Sequence, residues 1–126
     1  MTGGIVFRAA GALAFLPAKI AIKVMPLPDV ARIPGAPVEV LGVTLVDGET
    51  TPVVCVTVPW TRPRSGSIPM LVIGVAGERV GLVGIEVLAS GHFESHRDGV
   101  IHDGIVALSF DVTALVTRVR GGRWAV

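Results

Sequence analysis

The dipeptide Asp47-Gly48 constrains this chain more than any other feature. It divides two Val-rich runs in the stretch PGAPVEVLGVTLVDGETTPVVCVT, Pro34 to Thr57. Asp-Gly between such runs is among the strongest short-range signals for a β-hairpin. Leu41, Val43 and Leu45 before the turn, and Val54 and Val56 after it, recur at period 2. That is strand spacing. Pro52 has no N–H to give a ladder, which predicts an edge or strand-start position.

The rest of the chain repeats this grammar. Ile5 to Ala9, Leu13 to Leu16 and Ile20 to Met25 are short apolar runs separated by Gly, Ala and Pro. Val and Ile are frequent and long stretches of period 3.6 are missing, so the expected class is all-β. Gly77-Glu78 predicts a second hairpin, Asp103-Gly104 a third, and Ile105 to Phe110 a last strand. Asp111 stands before VTALV, where its carboxylate can cap a short helix that buries Val112, Leu115 and Val116. RVRGGRWAV is expected to be a loosely held tail.

The two halves resemble each other. VFRAAGALAFL, Val6 to Leu16, matches VIGVAGERVGL, Val72 to Leu82, as strand, Gly turn and strand. Each half continues with a third strand and ends in a hairpin. The segment WTRPRSGS, Trp60 to Ser67, is the expected linker. One barrel of this size is marginal alone, so the expectation is two small barrels that share one buried face. At 126 residues the chain is one domain, residues 1–126, with interleaved lobes.

Composition narrows the function. Hydrophobic residues make up 51%, enough for a sizeable core, while 17% charged residues is low for a surface with nothing to cover it. A net charge of +1 and the absence of Tyr give no footprint for nucleic acid. The single cysteine, Cys55, rules out an internal disulfide framework and fits a reducing cytoplasm. In VVCVT it reads as a small buried strand residue rather than a nucleophile. Arg8 and Lys19 bracket an apolar run too short to span a bilayer, and its strand-like alternation continues past the small-residue motif GALA.

One cluster of candidate ligands stands out. His92, His96 and His102 fall within 11 residues, beside Glu94, Asp98 and Asp103. Imidazole and carboxylate suit zinc or nickel, which makes a small metal-binding barrel or enzyme the alternative reading. His92 and His96 would share a face only on a helix, and Gly91 and Gly99 oppose one, so a polar loop is expected.

Order and spacing together resemble the CheW-like domains, adaptor modules of bacterial chemosensory arrays. The family pattern is an apolar strand pair, a proline-containing loop before a Gly-Val strand, an Arg-Gly turn and Pro-Val-Val-Asp-Leu. Here it reads RIPGAPVEVLGVTLVDGETTPVVCV, followed by VAGERVGLVGIEVL and, at the close, SFDVTALV. The resemblance implies two five-stranded SH3-like barrels with a short helix near the C-terminus. It implies no catalytic site, no cofactor and no metal. It also implies binding to a methyl-accepting receptor, a CheA-type histidine kinase, or both. On that reading the partner-binding residues are Lys23, Val43, Asp47 and Glu49, with Val83 and Val87 lining a groove between the lobes. Oligomeric state is left open.

The departures from the pattern are specific. Asp47 stands where the family has the turn arginine, and Lys23 stands where its third strand often has an acid. If the two positions are neighbours, both signs of one ion pair are inverted together. Cys55 and Ile85 replace frequent aspartates, and without the first of these no helix is expected after Cys55. The second half also lacks the extended loop that fuller members carry before the last hairpin, which marks a minimal, diverged member.

Overall fold

A computed structural model describes residues 1–57, 66–75 and 77–120. Ten strands precede one helix: β1 (Thr2–Ala9), β2 (Ala12–Pro17), β3 (Ala21–Pro26), β4 (Val40–Val46), β5 (Glu49–Cys55), β6 (Pro69–Val75), β7 (Glu78–Val83), β8 (Ile85–His96), β9 (Gly99–His102), β10 (Ile105–Ser109) and α1 (Val112–Arg120). The all-β reading holds, as two small five-stranded SH3-like barrels. Most of the linker placed at 60–67 lies outside the described residues.

The halves exchange their first hairpins. The closed first barrel has the order β1-β2-β10-β9-β8, and the second sheet has the order β3-β6-β7-β5-β4. Thus β1 and β2 of the first half complete a barrel whose other strands come from the second half, and β6 and β7 do the reverse. Two parallel contacts seal the exchange: β10 on β2 at Leu108↔Ala14 and Ser109↔Phe15, and β5 on β7 from Val53↔Gly81 to Cys55↔Val83. The edge strand β4 of the second sheet is bridged to the chain that follows β3, at Ala31↔Val43.

Three apolar clusters follow from this plan. Val6, Phe15, Val100 and Ala107 fill the first barrel. Leu27, Val46, Val53, Cys55, Met70, Val72 and Val83 fill the second. Between them lies the shared core, where Phe7 and Leu16 of the first barrel meet Val54, Leu71, Ile73 and Leu82 of the second, together with Val112, Leu115 and Val116 of α1. Alternate residues of β5, β6 and β7 therefore point into the barrel or into the shared core. Both faces are covered, so PMLVIGV and PVVC read as unbroken apolar runs rather than as alternation.

The matched turns are alike in geometry. Asp47 has φ 50° and Gly48 80°, and Asp103 and Gly104 have 49° and 76°. Both central residues lie in the left-handed region, as a type I′ hairpin turn requires, and Asp with Gly meets that demand cheaply. Pro52 sits mid-strand rather than at an end, opposite Val43. Val43 aims its N–H and C=O at Ala31, and β5 joins β7 only from Val53 onward, so the missing N–H breaks neither ladder.

On β4 the period-2 residues Leu41, Val43 and Leu45 are not the buried row. Val40, Gly42, Thr44 and Val46 are the buried row, and Leu45 is 65% exposed. Both rows of this strand carry apolar residues, so period 2 alone does not choose between them. Thr44 can turn inward because its hydroxyl donates to the Asp29 carbonyl at 2.8 Å. The polar loop expected from Ser90 to Gly104 is also corrected: it is the long strand β8 paired with β9. At the C-terminal end, Asp111 Oδ1 accepts the Ala114 N–H at 3.0 Å, as a cap should. The helix runs on through 118–120, into the segment expected to be tail.

Candidate functional site

The β4–β5 turn overhangs one end of the second barrel, where the backbone ladders have stopped. On one side β5 pairs with β7 only from Val53↔Gly81, leaving Glu49 to Pro52 without a β7 partner. On the other side, among the described residues, the backbone of β4 is bridged to the chain following β3 at Ala31 alone. Side-chain charge spans both gaps. Lys23 Nζ, from β3, donates to both Asp47 carboxylate oxygens at 3.0 and 2.8 Å. Arg79, near the start of β7, donates from Nη1 to Asp47 Oδ2 at 3.2 Å. Its Nε lies 3.5 Å from Glu49 Oε2.

Lys23 and Asp47 are thus neighbours and form one ion pair. The hydrogen bond from Lys23, then that from Arg79, then the Lys23 charge, hold the Asp47 carboxyl below the ordinary aspartate range. Sequence reasoning missed Arg79. Its one signal was a basic residue directly after the Gly77-Glu78 turn, at the same end of the barrel as the Asp47 turn.

Val43 is half-buried on the hairpin's outer face. A groove of about 600 Å³ runs beside it, lined by Pro28, Val30, Leu45 and Thr50 among others. Val83 does not line a groove: it is fully buried inside the second barrel and offers no surface. Val87 is half-buried on β8, opposite Phe7 of β1, and packs against the shared core. A depression of about 500 Å³ beside α1 is lined by Val38, Glu39, Val56, Phe110 and residues of α1, and includes neither Val83 nor Val87. The other predicted contacts, Lys23, Asp47 and Glu49, gather at the barrel end.

The histidines do not assemble. His92 and His96 lie four residues apart along β8, a separation of roughly 13 Å at strand rise. His96 Nδ1 accepts the Asp98 N–H at 3.1 Å, and the His102 ring meets Phe93 edge-on at 5.9 Å. Among the described residues no three His, Cys, Asp or Glu side chains are placed to hold one metal ion. Cys55 is buried; its thiol donates to the Thr57 carbonyl at 2.7 Å, and desolvation pushes its pKa up. A buried neutral thiol is inert rather than nucleophilic. Among the described residues no helix is long and apolar enough to cross a membrane.

Two strand-exchanged SH3-like barrels over a shared core, with an ion network at one barrel end, define a class of small β-modules. The family model of the CheW-like domain matches residues 3–97, and the chain belongs to that family. Its fold is similar to that of the scaffolding protein TtCheW from Thermoanaerobacter tengcongensis, with a TM-score of 0.63 and 19% identity. The likeness covers 86% of this chain and 88% of that one. No curated protein sequence matches the chain.

Proposed function

We propose that this chain is a non-catalytic adaptor of bacterial chemosensory signalling. It acts in the cytoplasm and links a methyl-accepting receptor to a CheA-type histidine kinase, or modulates that link. Its membership of the CheW-like family supports the role. The observation that carries the site is the Lys23–Asp47 pair, at the turn where the resemblance places partner contact. Lys23, Asp47 and Glu49 supply charge there. Val43 and the exposed Leu45 supply apolar area on the same hairpin. Val87 contributes only its half-buried edge.

The decisive experiment is Asp47→Arg, which restores the family's residue at the turn. A pull-down with the receptor cytoplasmic fragment and the kinase regulatory domain of the same genome should show altered binding. The melting temperature should stay within a few degrees of wild type, since exposed ion pairs contribute little to stability. Binding unchanged towards both proteins would remove the turn from the interface.

A further inference from the structure

Arg79 is the least exposed member of the ion network. Its side chain is 29% exposed and that of Lys23 37%, against 57% for Asp47 and 67% for Glu49. The cations lie beneath and the carboxylates on top. Lys23 reaches Asp47 alone, whereas the Arg79 guanidinium reaches carboxylates on both sides of Gly48. A planar fork with separate donors suits that double contact, and a lysine ammonium does not. Arg79 also spans the stretch where β5 and β7 share no backbone pairing, and among the described residues its guanidinium is the side-chain ion contact from β7 to that flank of the turn.

Resting on the adaptor reading, we propose that Arg79 is the positioning residue of the β4–β5 turn, and that it holds Asp47 and Glu49 outward as an acidic face for a partner presenting a lysine or arginine. The pair is therefore part of a four-residue arrangement. Reversing the charges of Lys23 and Asp47 alone sets a second cation, at the turn, against Arg79. The orientation can be turned round only if Arg79 changes with them. A partner matched to the family's basic turn meets the wrong sign here, which is how like-charge contact excludes it.

The test uses the whole chain, with the receptor cytoplasmic fragment and the kinase regulatory domain of the same genome as probes. Amide exchange is measured at residues 46–50, with binding by calorimetry at two salt concentrations. Arg79→Ala should speed exchange at 46–50 while leaving Val80 to Val83 protected. It should also weaken binding about three- to tenfold, with a shallower salt dependence. Arg79→Lys should recover part of each effect. Glu49→Lys should weaken binding further. The quadruple variant Lys23→Glu, Asp47→Arg, Glu49→Lys, Arg79→Glu reverses every sign in the network and should restore slow exchange at 46–50, and the triple variant without Arg79→Glu should not. Unchanged exchange in Arg79→Ala, or equal behaviour of the triple and quadruple variants, overturns the positioning role. Glu49→Lys binding as well as wild type, or better, overturns the acidic face. If neither probe binds the wild-type chain, the adaptor reading fails and the acidic face with it, while exchange still decides the role of Arg79.

Discussion

At the scale of single residues, Asp47 joins sequence, structure and proposed function. Its folded-state pKa is lowered, so the sign of its pH dependence is fixed: the contribution is complete above the unfolded value and is lost as pH falls through the folded one. Acid should therefore release the β4–β5 turn before it unfolds the barrels. A carboxyl titration by NMR should place the Asp47 midpoint below the ordinary aspartate range, and Lys23→Met should move it upward. A wild-type midpoint at or above that range would show that the ion network does not form in solution. The proximity of Lys23 to Asp47 entered the sequence reading only as a condition, raised by two departures of opposite sign from the family pattern, and the structure supplies it. Arg79 was not legible, since a surface charge has no periodicity and its partners lie 32 and 30 positions away in sequence.

At the scale of elements, turns were legible and faces were not. The Asp-Gly dipeptides fixed two hairpins because few residues accept a positive φ. The inward row of β4 escaped because Leu45 reads as core while Thr44 is the buried residue. Only the Asp29 carbonyl makes that burial tolerable, and Asp29 is remote in sequence. The histidine segment escaped because its glycines read as loop punctuation, whereas Gly91 and Gly99 sit within paired strands. The cap and the buried face of the helix were legible, though not its length, and they allow a sharp comparison. Asp111→Ala removes the carboxylate that receives the Ala114 N–H and should cost about 1 kcal/mol. Leu115→Ala opens the shared core and should cost about 3 kcal/mol. Equal losses in chemical denaturation would mean that α1 is held by its cap rather than by packing.

At the scale of the whole molecule, the exchange of hairpins between the halves decides how the chain folds. The internal repeat pointed to two alike units, and interleaving was expected, but which hairpin crosses is set by pairings that periodicity does not carry. Neither half holds a complete barrel. Residues 1–57 supply β1 and β2 to one barrel and β3, β4 and β5 to the other, and the remainder supplies the complement. The shared core takes Phe7 and Leu16 from one half and Leu71, Ile73, Leu82 and Leu115 from the other. A fragment ending near residue 60 would expose its part of that core together with unpaired strand edges, and so should stay unfolded on its own. So should a fragment beginning near residue 66. Mixed in equal amounts they should form one complex with the circular dichroism of the intact chain, melting as a single transition whose midpoint rises with concentration. A cooperative melt from either fragment alone would mean that each half folds by itself, and that the crossed hairpins are not what binds the two barrels into one unit.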